Sequence, residues 1–405
     1  MRQITRSKPA DLNWIQKKGL LAVKLAQIFA LRPDIIGVKK CEELQLLYEQ
    51  AATIPREDVN KIIREMALPE FHENVVEFNQ EPLASASVGQ VHLGKLKSGE
   101  TVAIKVIKYD HKKSFKKDIK KMRRWLKLAI IFSPKLRKVG NPLALLSHVE
   151  NYTLNELDLI NEIRGAEQLI KIKDDLNDDF PLPLLKFPKY WENLSNENIL
   201  VSEFIEGDTL RKRIDKQDIT WEEMLQLFRI HGAYMFGVGT FHGDLHPGNC
   251  IIDNDGKFVF IDTSAICNAP KHVSKALFNF FNYLSASEKN NAYDALLKMS
   301  EKVTKDDREG YYSEMEKIYH DFEKRSVGEM SLTKIMMQTV KAAVIKAKAD
   351  FGEDSFPIIR SLMYMDGMVV RTHPNKKLIL EMGPYLKEFE NIIEKEDDEN
   401  GNSGI

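Results

Sequence analysis

His242-Gly243-Asp244-Leu245-His246-Pro247-Gly248-Asn249 is the stretch on which the reading of this chain turns, together with Asp262, which closes the apolar run Phe258-Val259-Phe260-Ile261. Carboxylate and amide oxygens are hard donors of the kind magnesium accepts, and few protein ligands suffice where phosphates supply the others. Asn249 and Asp262 are therefore candidate metal ligands. Asp244 is the candidate to orient or deprotonate a nucleophile. The same residue types also populate ordinary polar loops. The alternation of His242, Asp244 and His246 admits a transition-metal site as well, but that reading leaves Asn249 and Asp262 unexplained.

Protein kinases place a catalytic-loop Asp five residues before an Asn, then a second magnesium-binding Asp just after a strand. Asp244, Asn249 and Asp262 reproduce that order. Upstream, Val102-Ala103-Ile104-Lys105 matches the strand that carries the ATP lysine. An ammonium there pairs with the α- and β-phosphates and needs a helix carboxylate to hold it; Glu162 is the candidate. Ala84-Ser85-Ala86-Ser87-Val88-Gly89-Gln90 stands where a glycine-rich phosphate loop is expected. Alanines restrict the backbone freedom with which glycines approach phosphates, so Ala84, Ser85, Ala86 and Ser87 would hold a nucleotide differently. Glu203-Phe204-Ile205-Glu206-Gly207 reads as a hinge whose backbone at Glu203 and Ile205 meets an adenine edge. The cofactors expected from these elements are ATP and Mg2+.

Outward from these motifs, apolar spacing predicts helices over 13–36, 41–52 and 55–66. The runs 88–94 and 101–106 are β-rich, and Lys97–Glu100 between them signals a hairpin turn. Helical patterns follow over 112–138 and 144–174, then a strand over 198–204. The remainder is helical apart from short strands over 249–252 and 257–261. The fold class expected is α+β, a two-lobed protein-kinase-like fold with a cleft between the lobes. Residues 1–80 form an N-terminal helical extension, 81–205 a small lobe with the Ala-rich loop and a basic helical insert, 206–393 a large helical lobe, and 394–405 a flexible acidic tail.

Composition narrows the function classes. Lys and Arg number 59 against 60 Asp and Glu, so the net charge gives no argument for a nucleic-acid partner. Cys41, Cys250 and Cys267 are odd in number and far apart, which argues against a disulfide framework or zinc knuckle and for a reducing compartment. The first residues lack a signal peptide's apolar core, and no apolar run reaches the ~18–20 residues a spanning helix needs. The expected location is cytoplasmic, with room for peripheral contact at the inner face of the membrane. That contact would come from 112–138, where twelve Lys/Arg accompany one acid, Asp118. Phe115, Ile119, Met122, Leu126 and Ile130 share a helical face there. Such a helix either buries its apolar face in the small lobe, the preferred reading, or lies on anionic lipid.

With these residues in hand, the chain resembles the UbiB/AarF family of atypical kinase-like proteins, linked to ubiquinone and other isoprenoid-lipid metabolism. Four features carry the likeness over roughly Trp14 to Leu386: the Ala-rich loop; Glu156-Leu157-Asp158 ahead of Glu162, similar to an E-x-D motif; the His242–Asn249 segment; and Lys24-Leu25-Ala26-Gln27 with Arg32 and Asp34, similar to a K-x-G-Q motif. The resemblance implies that N-terminal helices fold over the active site, that Lys24 and Gln27 line the cleft, and that Glu156 or Asp158 pairs with Lys24. Without it, Lys24 reads as a solvated helix lysine. A cleft so filled excludes protein substrates and leaves ATP hydrolysis or phosphorylation of a small molecule or lipid. Two departures stand out: Ala26 replaces the motif's glycine, and Asp262-Thr263-Ser264 replaces D-F-G. The alternatives are a pseudokinase scaffold and an ATP-dependent lipid-handling factor. An aminoglycoside-type phosphotransferase shares the His242–Asn249 pattern, but the Ala-rich loop and Lys24–Gln27 argue against it.

Overall fold

The computed structural model describes residues 9–30, 36, 38–45, 47, 53–85, 88–107, 111–132, 142–303, 308–330, 332–351 and 355–402. The chain forms two compact units, one of Met1–Gly165 with Pro188–Phe204 and one of Ala166–Phe187 with Ile205–Ile405.

The first unit opens with helices α1 (Leu12–Lys17), α2 (Leu20–Phe29), α3 (Val38–Gln45), α4 (Arg56–Met66) and α5 (Pro69–Asn74). The single helix expected over 13–36 is broken between α1 and α2. Gly19 sits there at φ 91°, a left-handed conformation that costs glycine nothing and interrupts the helical ladder. Strands β1 (Val75–Ser85), β2 (Gly89–Leu96), β3 (Thr101–Ile107) and β4 (Ile199–Glu203) form one sheet in that order, with every neighbouring pair antiparallel. Helices α6 (His111–Phe132), α7 (Pro142–Glu156) and α8 (Ile160–Leu176) follow β3 in the chain. The helix expected over 144–174 is thus two helices, parted at Leu157-Asp158-Leu159.

The helical extension is not a separate layer throughout. Ile62 of α4 and Phe71 of α5 share one core with Val102, Ile104, Val106, Ile199 and Val201. Ile62, Val102, Ile104 and Val106 are fully excluded from water. Burial of each such side chain contributes about 1.5–3 kcal/mol, so α4 is the cover of the sheet. A second small core joins Ile15, Ala26, Phe29 and Leu44.

In the second unit, β5 (Gly207–Thr209), α9 (Leu210–Lys216) and α10 (Trp221–Gly232) lead through a π-helical turn over Ala233–Val238 to β6 (Thr240–His242). Strands β7 (Cys250–Asp253) and β8 (Phe258–Phe260) form a hairpin, and β9 (Ile266–Asn268) pairs back onto β6. Then come α11 (Lys271–Ser285), α12 (Lys289–Lys298), α13 (Arg308–Tyr319), α14 (Leu332–Ala342), α15 (Ser355–Thr372) and α16 (Leu378–Asn402). A large core including Phe228, Phe236, Phe241, Phe260, Phe281 and Phe389 holds these elements together. Helix α16 runs to Asn402, through most of the segment expected as a tail. The run Glu394–Asn400 contains neither Gly nor Pro, so no residue in it breaks the helix, which ends just past Gly401.

Candidate functional site

In the first unit, β3 places Lys105 between the fully buried Ile104 and Val106. Its Nζ donates to Glu162 Oε2 at 2.8 Å, and both residues are buried. The expected partner is therefore the observed one. Glu162 stands in the first turn of α8, where a carboxylate also meets the positive end of the helix dipole. Asp158 precedes that turn and accepts the Ile160 N–H on Oδ1 at 3.3 Å.

Glu156, not Asp158, is the partner of Lys24. Their ion pair joins α2 to α7, and Tyr152 presents its ring 5.5 Å from Lys24 Nζ. Lys24 is buried, so the solvated-lysine reading fails. Gln27 is buried too and donates from Nε2 to the Leu47 carbonyl at 3.2 Å. Arg32 and Asp34 of the same motif lie outside the described residues.

The Ala-rich segment is more strand than loop. Ala84 pairs with Val91 and Ser85 with Gln90, so both belong to the β1–β2 hairpin. Ala86 and Ser87 lie outside the described residues. The segment's glycine answers a packing demand, since a Cβ on Gly89 would come within 2.7 Å of the Val106 carbonyl oxygen. Beside it lies a buried polar chain that sequence reading missed. The Ile54 N–H donates to Gln90 Oε1 at 2.8 Å, Gln90 Nε2 lies 3.0 Å from His92 Nε2, and His92 Nδ1 lies 2.8 Å from the Asn79 carbonyl. The fixed donor at one end, the Ile54 N–H, and the fixed acceptor at the other, the Asn79 carbonyl, dictate a neutral His92 with its proton on Nδ1. Burial holds its pKa below the ordinary value. The only hint in the sequence is two polar residues at i and i+2 on one face of a strand.

In the segment expected as a hinge, the Glu203 N–H donates to the Lys189 carbonyl at 2.8 Å. Any adenine contact from Glu203 would therefore run through its carbonyl oxygen. Ile205 begins the second unit's segment and is buried.

In the second unit, the β7–β8 hairpin brings the candidate metal ligands to one end. Cys250 pairs with Phe260, and the Ile261 N–H donates to the Asn249 carbonyl at 3.0 Å. Asn249 thus stands opposite Ile261, with Asp262 next along. Asn249 Nδ2 donates to the Asp244 carbonyl at 3.0 Å. Among the described residues nothing donates to Asn249 Oδ1, so a hard oxygen stands beside the Asp262 turn, as magnesium requires. Asp262 adopts φ 54°. A left-handed Asp costs on the order of 1 kcal/mol, and such conformations gather at functional sites. Ser264 Oγ donates to Asp262 Oδ1 at 3.2 Å, a bond that the glycine of D-F-G could not make. Thr263 is wholly buried.

His242 is structural. Its Nε2 donates to the Ile261 carbonyl at 3.0 Å and its Nδ1 accepts the Asp244 N–H at 3.2 Å. Burial lowers its pKa, which keeps it in this neutral form. Both ring nitrogens are committed, so the transition-metal reading fails. Among the described residues, no group of three or more His, Cys, Asp and Glu is arranged to hold a metal ion.

Two residues at Asp244 were not foreseen. Tyr364 donates its hydroxyl to Asp244 Oδ1 at 2.9 Å, and Arg360 Nη1 lies 3.9 Å from the same oxygen. Both come from α15, four residues apart on one helical face. The available signal was an Arg within the apolar run Phe356–Met365, but nothing in it named its partner.

Residues 46–296 match the ABC1 atypical kinase-like domain. An uncharacterized protein of Synechocystis sp. is 24% identical over 394 residues, covering 95% of this chain and 56% of that protein. A probable protein kinase UbiB of Pseudomonas aeruginosa is 31% identical over 244 residues, covering 59% of this chain and 44% of the relative. A UbiB of Aliivibrio fischeri is 29% identical over 284 residues, covering 66% and 50%. The chain spans about half the length of these relatives. Among solved structures, the Rv3197–erythromycin complex from Mycobacterium tuberculosis superposes with a TM-score of 0.52 at 19% identity, over 87% of this chain and 90% of that one. The family match and this likeness together establish the kinase-like fold.

Proposed function

Since this chain belongs to the ABC1 atypical kinase-like family together with the UbiB proteins, we propose that it binds ATP with magnesium and hydrolyses it, or transfers its terminal phosphoryl group to a small molecule or lipid of isoprenoid-quinone metabolism. The observation that carries this reading is the buried 2.8 Å pair of Lys105 and Glu162. A buried ammonium is costly unless it is paired. A lysine so held is oriented in advance for nucleotide phosphates. Asn249 and Asp262 would hold magnesium, which neutralises phosphate charge when bound. Asp244 would orient the attacking hydroxyl or water.

Magnesium-dependent phosphate release by the purified chain is the test, with Asp262→Asn as the control. Release that is equal in the variant, or absent with and without lipid, would sink the reading. Nucleotide binding without turnover is a second reading. The Ser264 hydrogen bond to Asp262 Oδ1 favours it, because it holds the carboxylate by a contact that the glycine of D-F-G does not make.

A peripheral membrane contact forms part of the proposal. Phe115 and Ile119 of α6 are buried, whereas Trp125 is 74% and Leu128 56% exposed. Lys120, Lys121, Arg124 and Lys127 surround them and are exposed. Apolar side chains in a basic field suit an anionic lipid surface. Among the described residues no helix is long and apolar enough to cross a membrane.

A further inference from the structure

We infer that Tyr364 and Arg360 are positioning residues for Asp244, a clamp from α15 that sets which way the carboxylate faces. The inference rests on the proposed function, in which Asp244 orients the nucleophile.

Helix α15 meets the His242–Asn249 segment at three residues, Gly243, Asp244 and His246. Arg360 Nη2 donates to the Gly243 carbonyl. Tyr364 donates to Asp244 Oδ1 at 2.9 Å, with Arg360 Nη1 at 3.9 Å from the same atom. The Tyr364 ring meets the His246 ring edge-on, with centroids 6.0 Å apart. The helix is itself pinned next to Arg360, since Ser361 Oγ lies within hydrogen-bond distance of His231 Nε2 on α10.

The geometry does more than stabilise. Arg360 is 5% exposed, and a guanidinium is taken out of water only at considerable cost unless charge and hydrogen bonds compensate. Part of that compensation comes from the Gly243 carbonyl and the Asp244 carboxylate of the catalytic segment. The terminal torsion of an aspartate is soft, so an unrestrained carboxylate swings about Cβ–Cγ. The Tyr364 hydrogen bond to Oδ1, with the Arg360 charge 3.9 Å from the same oxygen, restrains that swing and with it the direction of Oδ2. Productive alignment of a nucleophile depends on such restraint.

The probe is Tyr364→Phe, which keeps the ring against His246 and removes only the hydroxyl. Magnesium-dependent phosphate release is measured against ATP concentration. We expect kcat to fall on the order of tenfold or more while KM for ATP stays within about twofold. In an Asp244→Asn background the same substitution should cost nothing further. Arg360→Lys, which keeps the charge but loses the fork, should show a similar loss of kcat and guards against a fold-only effect in one variant. Unchanged kcat in Tyr364→Phe, or a rise in KM with kcat kept, overturns the inference alone, as does a further loss in the Asp244→Asn background. No magnesium-dependent release from wild type overturns the reading of Asp244, and the clamp with it.

Discussion

Lys24 and Glu156 form an ion pair that joins the second helix of the chain to the helix preceding Glu162, and both partners are buried. Removing one partner of a buried pair leaves an uncompensated charge, a loss of roughly 3–5 kcal/mol. Lys24→Ala or Glu156→Ala should therefore lower the stability of the protein by that order in urea unfolding. Replacing both with Lys24→Met and Glu156→Gln should recover most of it. Single variants as stable as wild type would show that the pair is open in solution.

Lys105→Ala should abolish most of the thermal stabilisation that magnesium-ATP confers. A ligand at a hundred times its Kd contributes about 2.7 kcal/mol to the native state. A variant whose unfolding midpoint rises with ATP as far as wild type's would remove Lys105 from nucleotide binding, whatever its bond to Glu162.

His231 should make the second unit acid-sensitive. Burial pushes its pKa down to about 3, from an unfolded value near 6.5. The group is neutral in the fold, and the unfolded chain takes up the proton first as pH falls. Its contribution is therefore whole above pH ~6.5 and is lost progressively down towards pH 3. The part lost between pH 7 and pH 5 is about 2 kcal/mol. His231→Gln should flatten the pH dependence of unfolding by that order over this interval. An unchanged slope would mean that His231 is hydrated or charged in the native state.

The basic helix should confer salt-sensitive binding to vesicles that carry anionic lipid. Each Lys or Arg near such a surface contributes about 1 kcal/mol, and the attraction decays over a Debye length of roughly 8–10 Å. Charge reversal at Lys116, Lys120 and Arg124, all exposed, should abolish sedimentation without unfolding the protein. Trp125→Glu should weaken it with the charge field largely intact, and Trp125 fluorescence should shift to the blue on binding. Wild type that stays in the supernatant at low salt would reduce the helix to a solvated face.

The sequence by itself determined the parts whose information is local. The Val102–Lys105 strand, the β7–β8 hairpin and the order of Asp244, Asn249 and Asp262 are set by apolar alternation, a turn and short spacing. Helix breaks were less legible: Gly19 and Asp158 interrupt runs whose apolar periodicity continues past them, because one residue's φ or one capping oxygen outweighs the pattern. The strand Val75–Ser85 was hidden in Glu, Asn and Gln. It is made a strand by its partner Gly89–Leu96 rather than by its own propensity. Partner choice was decided by tertiary structure alone. Glu156 and Asp158 are both acids near one turn, yet one pairs with Lys24 and the other caps a helix, because their side chains leave the chain in different directions. Arg360 and Tyr364 reach Asp244 from well over a hundred residues away, and no periodicity encodes which distant carboxylate a buried guanidinium will meet.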